Sequence, residues 1–262
     1  MDTVYKVKDV AAAIEEFAPL SVQEKWDNSG LCIGSMEAPV GSVLLGLDCT
    51  PDLVDEAVSV GADMIVTHHP LIFSGLKKIC PDDPVGLAVM KAVSAGIAVY
   101  AAHTSADKVI AGVSGAMARR LGLENIQILD VEGDGIGLGT VGDLPSPMSS
   151  DEAVAFVKER FGLKAARASK PLDIPVSRIA MCGGSGSSLI PEAIASGAQL
   201  YLCGDVSYHH FFTPEGFMIM DIGHYESEIE IVDILFSLLK KNFPTFAVRI
   251  TQNIYSNPIY YY

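Results

Sequence analysis

The sequence predicts an α/β protein of two similar, duplicated lobes, each built in three layers around a mixed sheet. Three observations lead there. Short apolar runs of strand length alternate with helical-period segments along the chain, the pattern of βαβ units. Two such stretches lie over one another without a gap. Three apolar runs end abruptly in histidine, where open α/β sheets place their sites, beyond the carboxyl ends of strands.

The first of the two matching stretches reads Val43-Leu44-Leu45-Gly46-Leu47-Asp48, then Leu53-Val54-Asp55-Glu56-Ala57, then Gly61-Ala62-Asp63-Met64-Ile65-Val66. The second reads Ile179-Ala180-Met181-Cys182-Gly183-Gly184, Leu189-Ile190-Pro191-Glu192-Ala193, Gly197-Ala198-Gln199-Leu200-Tyr201-Leu202, at a constant offset of 136 residues. Each is strand, polar loop, short helix, Gly-Ala turn and strand, which marks an internal duplication.

The remaining elements follow in order. Val7 to Phe17 alternates at helical period. Pro84 to Ala95 and Lys108 to Leu121 read as helices after polar loops. Glu132 to Pro147, rich in Gly and Pro, reads as the lobe boundary, so the expected lobes are residues 1–131 and 132–262. Ser149-Ser150-Asp151-Glu152 is a capping box opening a helix to Phe161 that Gly162 ends. Glu226 to Asn242 reads as an amphipathic helix, acidic at its start (Glu226, Glu228, Glu230) and basic at its end (Lys240, Lys241), as the helix dipole favours.

Composition narrows the function classes. The net charge is −14, with 18 basic residues against 32 acidic ones, which excludes a general nucleic-acid or anionic-membrane surface. No apolar stretch reaches the roughly 18 residues that span a bilayer, and Met1-Asp2-Thr3-Val4-Tyr5-Lys6 lacks a signal-peptide layout. Cys32, Cys49, Cys80, Cys182 and Cys203 form no C-x-x-C pair. Reduced thiols in the cytoplasm are therefore expected, with Cys49, Cys182 and Cys203 as small core residues.

The chemistry lies in the strand-end histidines. Met64 to Thr67 runs into His68-His69-Pro70; Gly96 to Ala102 runs into His103, with Asp107 four residues on; Phe217 to Gly223 runs into His224, with Glu228 four residues on. Imidazole and carboxylate together are ligands of divalent metals. Adjacent side chains in extended backbone point to opposite sides, so His68 and His69 suit two neighbouring ions better than one. His68, His69, Asp107, His224 and Glu228 are thus the candidate ligands of a dinuclear site, its ions about 3.5–4 Å apart. A mononuclear site is the alternative. Zinc is the expected metal, with iron, manganese, nickel and magnesium as alternatives. His103 is a ligand, a proton carrier or the partner that holds Asp107.

Gly204-Asp205-Val206-Ser207-Tyr208-His209 follows the second copy in the place that His68-His69 takes in the first, so Asp205 or His209 can act on substrate. Gly183 to Ser188 suits a phosphate at a helix start. Trp26-Asp27-Asn28-Ser29-Gly30 reads as a turn with a packed aromatic.

Taken together, Thr67-His68-His69-Pro70, Ala101 to Asp107, Gly204 to His209 and Gly223 to Glu228 resemble the GTP cyclohydrolase 1 type 2 family, also called the Nif-three-like family. Trp26-Asp27-Asn28-x-Gly30 and Asn257-Pro258-Ile259 resemble its ends, so the likeness spans nearly the whole chain. Ser29 and Ser105 depart from its usual apolar residue and Asn, and the chain is too short for the middle domain that some members insert. The resemblance implies two similar α/β lobes enclosing a dinuclear site, with Glu228 bridging, and a hexameric ring. It also implies hydrolytic opening of the guanine ring of GTP with loss of formate, His103 or His209 moving protons. A metal-dependent phosphoesterase and a non-catalytic metal- or partner-binding protein are the alternatives. The aromatic tail from Tyr255 to Tyr262 fits a homo-oligomer's interface.

Overall fold

A computed structural model describes residues 4–252 and 257–261. The chain divides into two compact units, residues 1–106 with 231–258 and residues 107–230 with 259–262.

The first unit opens with β1 (Tyr5–Lys6) and α1 (Val7–Phe17). In α1, Val7, Val10, Ala11 and Ile14 are buried, the three-and-four spacing of one helical face. There follow β2 (Gly30–Ile33), β3 (Pro39–Val40), β4 (Ser42–Gly46), α2 (Pro51–Val60), β5 (Met64–Thr67), α3 (Pro84–Ala95), β6 (Ala98–Ala101) and α4 (Thr104–Asp107). The second unit continues with α5 (Val113–Arg120), β7 (Glu124–Gly133), β8 (Ile136–Met148), α6 (Ser150–Phe161), β9 (Arg167–Ala168) and β10 (Val176–Met181). It ends with α7 (Ile190–Ala195), β11 (Leu200–Cys203), β12 (Met218–Asp221) and α8 (His224–Glu228). The chain then returns to the first unit through α9 (Glu230–Asn242) and β13 (Ala247–Ile250).

Each unit holds a mixed sheet. The first runs β13-β4-β5-β6-β2, parallel except for the edge strand β2. The second runs β7-β8-β10-β11-β12-β9, in which β10, β11 and β12 are parallel and the flanking strands antiparallel. The duplication seen in the sequence is also a duplication of register. Val43, Leu44 and Leu45 face Met64, Ile65 and Val66; Ile179, Ala180 and Met181 face Leu200, Tyr201 and Leu202, each residue at the same offset.

Both faces of the second sheet are covered. Ile179, Met181, Leu200, Leu202, Met218 and Met220 belong to one apolar core, while the alternate residues Ala180, Tyr201, Cys203 and Ile219 belong to another. In the first unit Leu44, Ile65 and Val99 pack with α2 and α3, and their neighbours Leu45, Met64, Val66 and Tyr100 are buried as well. Strands buried on both faces read as unbroken apolar runs, which is how β5 and β11 read. Cys49, Cys182 and Cys203 are buried core residues, as expected.

Four expectations are corrected. The units do not divide at residues 131 and 132. Glu132 to Pro147 is not a linker but lies in the β7–β8 hairpin, and β13 pairs with β4, returning the C-terminal segment to the first sheet. Lys108 to Leu121 is not one helix. Gly137 N–H donates to the Lys108 carbonyl, and Val109 bridges Ile136, so the backbone at 108–109 is spent on β8 and helix resumes only at Val113. Glu226 to Asn242 is interrupted at Ile229. There the Ser227 hydroxyl donates back to the His224 carbonyl at 2.7 Å, which competes with continuous helix. Trp26 is exposed rather than packed away. Of the aromatic tail, Tyr255 and Tyr262 lie outside the described residues, while Tyr260 and Tyr261 are exposed. Among the described residues no helix is long and apolar enough to cross a membrane.

Candidate metal centre

In the first unit, hydrogen bonding continues past the ends of the strands and fixes the backbone that carries the histidines. His69 N–H donates to the Leu47 carbonyl at 3.0 Å, and Ala102 N–H to the Thr67 carbonyl at 2.9 Å. The Thr67 hydroxyl reaches the His69 carbonyl at 2.7 Å. On this frame His68, His69 and His103 each present a ring nitrogen within 4.8 Å of the others.

The other nitrogen of each ring is held by an acceptor. Nδ1 of His68 lies 3.3 Å from the Ala102 carbonyl, Nδ1 of His69 lies 2.7 Å from Asp48, and Nδ1 of His103 lies 2.7 Å from Asp27. Carbonyls and carboxylates only accept, so Nδ1–H donates in all three. In the neutral ring this leaves the lone pair on Nε2, the form in which imidazole ligates metal.

Asp27 is the most deeply built of these partners. Its side chain is fully buried and also accepts from the Thr104 backbone N–H at 3.0 Å, the Thr104 hydroxyl at 2.5 Å and the Ser29 hydroxyl at 2.7 Å. Burial opposes its ionisation, but the hydrogen bonds from His103, Thr104 and Ser29 outweigh it and hold the carboxyl well below the usual carboxylate range.

The second unit repeats the motif with other residues. Nδ1 of His224 lies 2.7 Å from Asp205, and its Nε2 lies 3.1 Å from Glu228, one turn along α8. Asp205 adopts a left-handed backbone at φ 53°, an uncommon conformation for a residue with a Cβ and a frequent one at functional turns. Buried Asp221 secures that turn. It accepts from the Val206 and Gly223 backbone N–H groups at 3.1 and 3.0 Å and pairs with Arg167. Glu228 is almost fully buried, and a side chain at Gly184 would collide with its carboxylate. Asp107, which begins this unit, is close as well. Burial foremost, then the charges of Asp107, Cys203 and Glu228, push the Cys182 thiol far above its ordinary value.

The structure therefore brings His68, His69 and His103 together in the first unit, and His224 and Glu228 in the second. His209 is exposed in the short turn Tyr208–Phe211 and packed against Tyr208 and Phe212. The Gly183–Ser188 loop is not an open phosphate cradle. Its N–H groups at Gly183, Gly184 and Gly186 donate to Ser114, Ser227 and the Gly184 carbonyl, and Gly184 makes room for Glu228. Sequence reasoning missed Asp27 and Asp48. Asp48 ends an apolar run just as the histidines do, so its place was a signal; Asp27 meets His103 across 76 positions, which no spacing reveals.

A sequence model of the Duf34/NIF3 (NGG1p interacting factor 3) family matches residues 5–258. A Clostridium acetobutylicum protein described as a GTP cyclohydrolase 1 type 2 homolog is 36% identical over 228 residues, covering 85% of each chain. A Schizosaccharomyces pombe NIF3 homolog is 32% identical over 241 residues, covering 85% of this chain and 84% of that one. Among solved structures, a Staphylococcus aureus hypothetical protein shares 26% identity with a TM-score of 0.91, over 99% of this chain and 100% of its own. A Bacillus cereus protein related to NIF3, 24% identical, matches the fold with a TM-score of 0.92 over the full length of both.

Proposed function

The chain belongs to the Duf34/NIF3 family, and on that premise we propose that it is a divalent-metal-dependent hydrolase of a nucleotide-like small molecule, with GTP as the substrate and formate as a product. The observation that carries the reading is the shared orientation of His68, His69, His103 and His224, each with Nδ1 on an acceptor. Core histidines have no need of this uniformity; metal ligands do.

In this reading His68, His69, Asp107, His224 and Glu228 would hold two divalent ions, zinc first among them. Bound there, the ions supply a hydrolytic water that is activated at neutral pH. The chain's own groups do the rest. Asp48 and Asp205 fix the tautomers of His69 and His224. Asp27 stabilises charge on His103, so that its Nε2 can accept a proton from the attacking water and return it to the opening ring; His209, from its exposed turn, is the rival proton carrier.

The protein is further proposed to act in the cytoplasm as a homo-oligomer, a hexameric ring, which would cover exposed Tyr208, Phe212 and Tyr260. Light scattering checks this against the 27.8 kDa chain, with roughly six times that mass expected for a ring.

Elemental analysis of protein purified without chelator, followed by formate release from GTP with and without metal, tests the central reading. Two ions per chain and metal-dependent formate support it. Metal-dependent phosphate release without formate would assign a phosphoesterase instead. Stoichiometric metal with no turnover would assign a non-catalytic metal-binding protein.

A further inference from the structure

Trp26 and Phe73 are 58% and 55% exposed, yet neither is loosely held. Next to Trp26, Asp27 is fully buried on His103 and Thr104. The following residue, Asn28, donates from its amide to the carbonyl of Ile72, the neighbour of Phe73, at 2.6 Å. Glu24 N–H donates to Thr104 Oγ1 at 2.9 Å. The Trp-Asp-Asn segment is therefore anchored on both sides while it turns its indole outward. The Trp26 and Phe73 rings lie 5.6 Å apart at 44°, and they stand 5.9 and 6.1 Å from the imidazole of His103.

We propose that Trp26 and Phe73 form a stacking ledge that receives the flat heteroaromatic ring of the substrate beside His103. The inference deepens the hydrolase reading and rests on it for the identity of the ring as a purine. Its physical basis is separate. Rigidly held, half-exposed aromatic rings at van der Waals spacing are stacking platforms for bases, and they tolerate any base because each presents a π-face. Rigidity matters because a ledge already in place loses little entropy when a ring settles on it. Two half-exposed rings also offer a few hundred Å² at most, against about 800 Å² per partner at a standard protein interface. A small planar ligand fits that area better than a second copy does. The ledge adjoins the histidine trio, so a ring resting there lies next to the groups proposed to act on it.

Trp26 is the only tryptophan in the chain, so the fluorescence of the whole protein reports on the ledge without any assay of activity. Guanosine, which has the base and no phosphate, is expected to quench it; inorganic tripolyphosphate, which has phosphates and no base, is not. Phe73→Ala should weaken guanosine binding by about tenfold, the order expected for one stacked ring. By calorimetry Trp26→Ala should lose a similar factor and Trp26→Phe should restore most of it, with metal content at the parental level in all three. The ledge is overturned if guanosine leaves the fluorescence of metal-loaded protein unchanged, or if tripolyphosphate quenches equally. It is also overturned if Trp26→Ala lowers the assembly mass while guanosine binds as before, which would make the rings an interface. Quenching without formate release would sink the cyclohydrolase reading alone; formate release without quenching would sink the ledge alone.

Discussion

In the first unit β5 runs out into His68-His69, whereas in the second β11, at the equivalent register, runs out into Gly204-Asp205. The carboxylate–imidazole pairs are correspondingly shifted by one strand. His69 comes from the end of β5 and its partner Asp48 from the end of β4; Asp205 comes from the end of β11 and its partner His224 from the end of β12. Where the first unit has Asp48, the second has Gly184, and that vacated space takes Glu228. The duplicated sheet thus fixes where chemistry can stand, and a few residues past each strand decide which chemistry it is. An acceptor on Nδ1 was reached in both units with different residues, which points to a demand of function rather than of folding.

The partners differ in depth, and that gives the largest expected effect. Asp27 is fully buried, while the side chains of Asp48 and Asp205 are 37% and 52% exposed. Asp27→Ala strands His103, Thr104 and Ser29 in the interior and should destabilise the protein by about 3 kcal/mol, the upper scale for leaving the buried donors of a carboxylate without their acceptor. Asp48→Ala and Asp205→Ala should each cost under about 1 kcal/mol, as exposed pairs do. Equal losses in denaturant unfolding would break the distinction.

The same contrast explains what could be read without a structure. The strands β4, β5, β10 and β11 were legible because they are buried on both faces, so that periodicity and repeat spoke together. The helices α1, α3 and α6 were legible from their apolar spacing and caps. The histidines of the candidate site were legible because each follows a fully buried strand, β5, β6 or β12. What stayed hidden depended on distant pairing. The Lys108 carbonyl abandons helix for Gly137, β13 returns to β4, and Asp27 finds His103; each is a contact whose partner no local rule names. What fills the space at the Gly-rich loop stayed hidden for the same reason, since Glu228 lies far along the chain from Gly184.

A glycine pair sharpens the comparison further. Gly61 and Gly184 both have left-handed backbones, at φ 65° and φ 60°, but a Cβ at Gly61 would meet open space and one at Gly184 the Glu228 carboxylate. Gly61→Ala should cost about 1 kcal/mol from backbone strain alone. Gly184→Ala should cost roughly 2 kcal/mol through added overpacking and should reduce bound metal in the purified protein. Unchanged metal content in Gly184→Ala would remove Glu228 from the ligand set.

Next in size are the tautomer-fixing carboxylates. Asp48→Asn and Asp205→Asn preserve shape but replace a carboxylate acceptor with an amide. Each should weaken metal retention by about 10- to 100-fold in a chelator competition, as such partners do elsewhere, while leaving the unfolding midpoint nearly in place. Loss in one unit only would mean that the two pairs, alike in geometry, serve different ends.

The smallest effects separate the units by their helix caps. In the first unit Thr50 caps α2 with a single bond from Leu53 N–H. In the second Ser149 caps α6 within a full box, where Glu152 accepts from the Ser149 N–H at 2.8 Å. Thr50→Ala should cost about 1 kcal/mol, and equally at neutral and acid pH, because no carboxylate takes part in that cap. Glu152 differs. The Ser149 backbone N–H foremost, then its hydroxyl, holds the Glu152 carboxyl below its ordinary value. A group whose folded pKa is depressed stabilises fully above its unfolded pKa and loses that contribution as pH falls through the folded value. Glu152→Gln should therefore lower the melting temperature slightly at neutral pH, with the difference from the parent shrinking as the solution is acidified below the ordinary glutamate range. A difference that persists unchanged in acid would mean that the amide's shape, not the lost charge, is what α6 registers.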